Sequence, residues 1–342
     1  DYIPTAFTGY ANAVVIEGTG AVPYQFRPDV LLAVDVALNT GRPLLISGPP
    51  GCGKTSLARA IASGLNARYL SRPLTSRTQL DDLFAEVDTL RRLADAQARM
   101  AGDPLLPAWA YLRPGLLWWA FDPLSADQRG ARQQDLLAIA QAKGLGADTA
   151  AVSAEIGSPT NPTEGNTNGA DVVVLLDEID KADPDLPNDL LEPLDRQSFQ
   201  LSLADRPRIE RNGAGRVVVV LTTNGERDMP AAFIRRCITL TLQEPKARAN
   251  SDPNAPVTLE RIAEAHFPGA SPAFADLISK VAEDVDDIRA QAVLKDVRAP
   301  STAEYLDTLR ALHARPDMRD VDEVWAQVKS LLLQKNVEAG NA

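Results

Sequence analysis

Cysteine is nearly absent: two thiols in 342 residues, Cys52 and Cys237, at neither the number nor the spacing of a disulfide framework or a zinc site. That excludes the small disulfide-stapled folds and leads to the expectation of a reducing, cytoplasmic setting. Histidine is as scarce. His266 and His313 both fall in helical stretches of the C-terminal part, where a structural role is expected and no metal chemistry is assigned. Long apolar runs are missing too, since none approaches the roughly 20 residues that cross a bilayer. The opening Asp1-Tyr2-Ile3-Pro4 has neither the basic nor the apolar segment of a secretory leader. The chain starts at Asp1 and not at a methionine, so residues are expected to precede it. Nor is there an excess of positive charge. The net charge is −11 and the pI about 4.8, so no overall basic surface draws in phosphate backbones, and nucleic acid is a disfavoured partner unless a local basic pore exists. What remains, 45% apolar and 24% charged, describes a globular chain of about two domains.

Against these absences stands one glycine-rich stretch. The apolar run Leu44-Leu45-Ile46-Ser47 leads into Gly48-Pro49-Pro50-Gly51-Cys52-Gly53-Lys54-Thr55, and a helical pattern follows over 56–62. The stretch satisfies G-x-x-x-x-G-K-[ST] in the strand–turn–helix context the pattern requires. Glycines there let successive N–H groups turn inward around phosphate oxygens at a helix N-terminus. On this pattern Gly48, Pro49, Pro50, Gly51, Cys52, Gly53, Lys54, Thr55 and Ser56 form a nucleotide cradle. Lys54 reaches the β and γ phosphates and the Thr55 hydroxyl ligates Mg²⁺.

Around this centre the chain reads in order. An irregular arm, residues 1–28, precedes a helix over 29–38 that stops at Gly41. A strand is expected over 67–74, and apolar residues recur at helical spacing over 80–93. The aromatic run 114–121 holds Trp118 and Trp119, which either pack in a core or grip a substrate. Composition changes at 122–170, read as an insertion: a polar helix over 126–143, then a mobile loop, 157–169, too poor in apolar groups to order itself. Continuous apolar strands follow at 172–176, at 213–220 and at 238–242, so strands alternate with helices as in a parallel α/β sheet. The core domain is bounded at 29–243. A proline-rich linker, 244–257, leads to a helical domain, 258–342, with helices over 259–267, 273–290, 302–314 and 321–334, the third opened by a Ser301/Glu304 capping box.

Three further groups carry chemistry. Asp177 and Glu178 end the 172–176 strand, where phosphate-loop ATPases place one carboxylate on the Mg²⁺ shell and a second on the attacking water. Asn224 ends the next strand and either orients that water or serves a turn. Arg235 and Arg236 close the following helix, either as a fork aimed at a neighbouring subunit's γ-phosphate or as compensation of the helix dipole.

This set resembles the AAA+ ATPases, and within them the MoxR-like branch, over essentially the whole chain. The matching pieces are Gly48 to Thr55 as Walker A, Val172 to Glu178 as Walker B, Asn224 as sensor 1, and Arg235 and Arg236 as arginine-finger candidates. The resemblance implies an α/β fold, a five-stranded parallel αβα sandwich followed by a small helical lid. It also implies ATP and Mg²⁺ as cofactors, a homo-oligomeric ring that is commonly a hexamer, and a protein client, with von Willebrand factor A domain proteins among the partners. The family's sensor 2 arginine finds its nearest substitute in Arg298. Two other readings stay open: a nucleotide-gated switch or scaffold, and the NTPase subunit of a nucleic-acid-processing system.

Overall fold

The computed structural model describes residues 14–16, 22–98, 105–202, 208–247, 257–295, 297–314 and, singly, 325, 326 and 329. Five parallel strands form its centre: β1 (Leu44–Ser47), β2 (Arg68–Pro73), β3 (Val172–Asp177), β4 (Val217–Thr223) and β5 (Ile238–Thr241), in the order β5-β1-β4-β3-β2. The expected αβα sheet is therefore present. A two-residue strand, Glu164–Gly165, adds an antiparallel sixth strand beside β2. The continuous apolar run of β3 has its reason in the packing. Val172, Val174 and Leu176 face one buried cluster while Val173 and Leu175 face the other, so both sides of the strand are covered.

One cluster includes helix α1 (Lys54–Gly64); the other includes helix α2 (Leu116–Phe121), whose six residues are all buried. Trp118 and Trp119 lie in this second cluster, at 0% and 2% exposure, which fits the packing reading of the pair. Phe199 packs edge-on to Trp118 and stacks on Phe84 at 4.2 Å.

Three sequence expectations need correction. The helical spacing over 80–93 does not give one helix: Leu80–Phe84 and Thr89–Ala98 are separated by a strand, Ala85–Val87, that pairs antiparallel with Leu112–Pro114. Pairing with a distant partner overrides local propensity there. The helix expected over 126–143 is split into Pro123–Asp127 and Gln133–Ala142, because Arg129 and Gly130 turn the chain at φ of 52° and 67°. Last, the segment 157–169 is fastened by polar groups. Glu164–Gly165 pairs with Arg68–Tyr69, Arg59 reaches Glu164 at 3.1 Å, and the Asn166 amide donates to the carbonyl of Asn66 at 3.0 Å. Counting apolar anchors misses this, because an edge strand is held by backbone groups.

The arm expected to be irregular contains a short hairpin, Val14–Ile16 against Val22–Tyr24; its other residues up to 21 lie outside the described set. In the C-terminal part, α3 (Leu259–His266), α4 (Pro272–Lys295) and α5 (Thr302–His313) bury Leu259, Leu277, Val281, Tyr305 and Leu309 among themselves. The capping box at Ser301 and Glu304 forms as expected. Most of the linker and of the helix expected over 321–334 lies outside the described residues. The join between core and helical domain is nonetheless clear: Glu244 accepts from Arg289 at 2.7 Å and from the Thr302 hydroxyl at 2.6 Å, while Arg289 also donates to the carbonyls of Pro245 and Pro300.

If Trp118 is a packing residue, Trp118→Ala leaves a large void and should lower unfolding free energy by about 3–5 kcal/mol in a urea titration. A substrate-gripping residue would instead leave stability nearly unchanged.

Candidate nucleotide site

The turn between β1 and α1 sets the geometry. Gly53 caps α1 in the left-handed conformation at φ 95°, and Gly51, at φ 81°, lies so close to the helical domain that an added Cβ would sit 2.5 Å from the Ser301 Cβ. The loop is thus shaped for bare backbone. Lys54 is buried at the start of α1, and its Nζ donates to the carbonyls of Gly48 at 2.7 Å and Pro49 at 2.9 Å and to Asn224 Oδ1 at 2.8 Å. The Thr55 hydroxyl donates to Asp177 Oδ2 at 2.9 Å. Hard oxygen donors at this spacing beside a glycine cradle fit Mg²⁺ and a phosphate chain.

The acidic pair is held from the neighbouring strand. Thr222 of β4 donates its hydroxyl to Asp177 Oδ1 and accepts the N–H of Glu178 at 2.8 Å. Glu178 itself adopts φ 59°, an uncommon conformation for a side chain with a Cβ. Its Oε1 accepts from Asn224 Nδ2 at 3.1 Å and pairs with Lys181 at 2.8 Å. Asn224 therefore touches both Lys54 and Glu178, which a purely local turn role would not require.

Asp180 is a residue that sequence reasoning left without a role. It is 4% exposed and its Oδ2 accepts the N–H groups of Asn224 at 2.9 Å and Glu226 at 3.1 Å, which places the Asn224 backbone. Burial opposes its charge, but the Glu226 N–H, the Thr223 hydroxyl and the Asn224 N–H together outweigh it and hold the carboxyl below the usual range. Cys52, on the loop, is pushed up by burial against the opposing pull of Lys54, so it is a poor thiolate.

Cys52, Lys54, Thr55, Asp177, Glu178 and Asn224 line one end of a cavity of about 430 Å³ that extends between the core and the helical domain. Its other walls include Pro23, Tyr24 and Gln25 from the arm and Ile262, His266 and Arg310 from the helical domain. His266, given no chemistry on sequence grounds, thus borders the site; burial and then Arg310 lower its pKa and favour the neutral ring. Arg298 does not line the cavity and instead pairs with Glu304 at 3.3 Å. Arg310, a little over two turns along α5, borders the cavity although it carries no motif of its own, as does Arg27. Arg235 and Arg236 also lie off this cavity, exposed at the end of Ala231–Ile234; Arg236 meets Asp195 at 3.3 Å, and Arg42 holds both backbone carbonyls.

Residues 43–237, more than half of the chain, match the AAA domain of the dynein-related subfamily. The chain belongs to that family. Family membership classes this AAA+ protein with the nucleotide-binding ATPases, and the contacting residues Lys54, Thr55, Asp177 and Asn224 all lie within the matched stretch. A stretch of 58 residues is 38% identical to shikimate kinase 2 of Escherichia coli O1:K1 / APEC and of Escherichia coli O45:K1 (strain S88 / ExPEC), covering 17% of this chain and 33% of those proteins. The chain thus spans about a third of the length of these curated relatives. Among solved structures, two variants of RuvB from Thermotoga maritima are similar at 15% and 14% identity. They cover 89% and 90% of this chain and 67% and 71% of theirs, with TM-scores of 0.38 and 0.42.

Asp180→Asn should cost about 1–3 kcal/mol at pH 7, the penalty for weakening charge-assisted bonds to buried N–H groups. Because the folded carboxyl has a lowered pKa, its contribution is full above about pH 3.9 and is lost as pH falls through the folded value. The gap between wild type and Asp180→Asn, measured by urea unfolding across pH, should therefore narrow only below that point.

Proposed function

We propose that this protein is a Mg²⁺-dependent ATPase of the MoxR-like branch, working in the cytoplasm as a homo-oligomeric ring, commonly of six subunits. Its task is to remodel or activate partner proteins, with von Willebrand factor A domain proteins among them. The observation that supports the chemistry most is the convergence on Asn224 and Asp177: Lys54 meets the first at 2.8 Å and Thr55 the second at 2.9 Å, across three neighbouring strands.

The roles follow from position. The backbone of 48–53 and Lys54 bind the phosphates and neutralise charge on the transferring group. Mg²⁺, when bound, would be held by Thr55 and Asp177 and would draw charge from the phosphate oxygens. Glu178 takes the proton from water, and Asn224 keeps that carboxylate oriented through its 3.1 Å bond. Arg310 of the helical domain is better placed than Arg298 to sense the nucleotide, because it borders the cavity. Arg235 and Arg236 project from an exposed helix end, a position suited to completing a neighbour's site in a ring. The partner class rests on the family resemblance. Among the described residues no helix is long and apolar enough to cross a membrane.

Lys54→Ala should abolish tight ATP binding, while Glu178→Gln should bind ATP and lose turnover, since the first meets ground-state phosphates and the second acts on water. Nucleotide titrations beside phosphate-release assays decide this; near wild-type hydrolysis by Glu178→Gln would remove Glu178 as the base.

Arg236→Ala, and to a lesser degree Arg235→Ala, should lose roughly 10³-fold in rate while still binding ATP, if the arginine acts on a neighbour. Mixing Arg236→Ala with Glu178→Gln should restore part of the activity, because some interfaces then pair an intact Glu178 with an intact Arg236. Full activity of Arg236→Ala as a dilute monomer would rule out action in trans.

A further inference from the structure

A second cavity, about 420 Å³, opens where β2, β3 and β4 begin, at the end of the sheet opposite the phosphate loop. Its charged group is Arg68, 8% exposed. The Arg68 Nη1 donates to the carbonyl of Trp119 at 3.0 Å and its Nε to that of Gly169 at 3.3 Å, both neutral acceptors. Among the described residues no carboxylate pairs with it, and burial alone lowers its pKa, so no neighbouring charge offsets it. Asp171 at the foot of β3, whose backbone carbonyl accepts the Arg68 N–H, has its carboxylate already committed to Arg216 at 2.6 Å. A guanidinium withdrawn from water and served only by carbonyls retains an unmet demand for an anion.

The surroundings say which anion. Arg211 adds a second guanidinium at the rim, where it also donates to Gln197 Oε1 at 3.0 Å. Phe121, Leu124 and Val217 supply apolar wall, with Leu124 73% exposed, and the Asn168 and Asn212 amides border it. A planar fork matches the two oxygens of a carboxylate, and apolar walls suit a ligand that carries its carboxylate on an apolar body better than a bare oxyanion. We propose that this cavity is a carboxylate-binding site, separate from the nucleotide site, for a carboxylate on a peptide-like apolar body such as the C-terminal residue of a polypeptide. The asparagine- and glycine-rich loops 157–170 and 211–215, which have no part in the phosphate chemistry, are then the walls of a receptor.

The probe pair is N-acetylleucine and its neutral isostere N-acetylleucinamide, titrated calorimetrically into the whole protein, with inorganic sulfate as the bare oxyanion. Saturating Mg·ADP is present throughout, so that the phosphate loop does not take up the probe. The acid should saturate and the amide should not, and sulfate should bind more weakly than the acid. Arg68→Met should weaken the acid roughly tenfold or more, as loss of a charge-assisted pair would, and Arg211→Ala should weaken it less. Equal binding of acid and amide, no saturable binding of the acid, or preference for sulfate would each overturn the proposal. If Arg68→Met does not fold, Arg211→Ala decides alone, since that side chain is exposed; an unchanged affinity in Arg211→Ala then sinks the site.

Discussion

A single buried hydroxyl fixes the acidic end of the candidate nucleotide site. Thr222, at 0% exposure, donates to Asp177 and accepts from the backbone of Glu178, so one side chain on β4 holds the carboxylate that ends β3 and the backbone that carries the next acid. That is possible only in one register. β4 pairs in parallel with β1 on one side and β3 on the other, with Thr223 opposite Ser47 and Leu221 opposite Leu176. A slip of one residue would turn Thr222 to the other face of the sheet and leave Asp177 without its donor. The left-handed backbone of Glu178 costs roughly 1–2 kcal/mol for a residue with a Cβ. Its N–H bond to Thr222 is one of the contacts that hold it there.

Register in turn depends on burial. Because β3 and β4 are covered on both faces, neither can slide without exposing valines and leucines on one side or the other, and the strand ends that carry the chemistry inherit that rigidity. The helical domain is tied to the same frame at two points. Ser301 packs against Gly51 where a side chain would not fit, and Glu244 links the chain leaving β5 to Arg289 of α4 and Thr302 of α5. Motion of that domain would therefore be felt at the loop itself.

Much of this was legible in the sequence, for physical reasons that differ by element. The phosphate loop and the strand ending in Asp177 and Glu178 are readable because local sequence dictates them: glycines at the turn, unbroken apolar residues before the acids. Ser301 and Glu304 announce a helix start by the same local logic. The residues missed are those whose role is fixed by distant partners. Asp180 looks like one more acid after Glu178 until its carboxylate is found on the N–H groups of Asn224 and Glu226. Arg310 has no motif, and only the folding of α5 over the loop brings it to the cavity, while the motif-based choice, Arg298, turns to Glu304. The strand Ala85–Val87 failed to show for a related reason, since its pairing with Leu112–Pro114 crosses a stretch of chain that local periodicity does not see.

Asn224 joins the two halves of the site, and its two bonds have opposite sense. Its Oδ1 accepts from Lys54 and its Nδ2 donates to Glu178, so the amide lies in a chain from the ammonium that the proposed function sets against phosphates to the carboxylate it sets against water. Lys54 is at present satisfied by that oxygen and by the carbonyls of Gly48 and Pro49. Phosphate oxygens are stronger acceptors than neutral carbonyls, so under the proposed function they would displace these contacts, and the loss of the Lys54 bond would free the amide oxygen. The same exchange would leave the amide nitrogen as the tether on Glu178, beside Lys181 at 2.8 Å on the same carboxylate oxygen. Under that function, loading of the loop and orientation of the carboxylate would be linked through these two direct bonds of Asn224, with no need for movement of the strands that carry them.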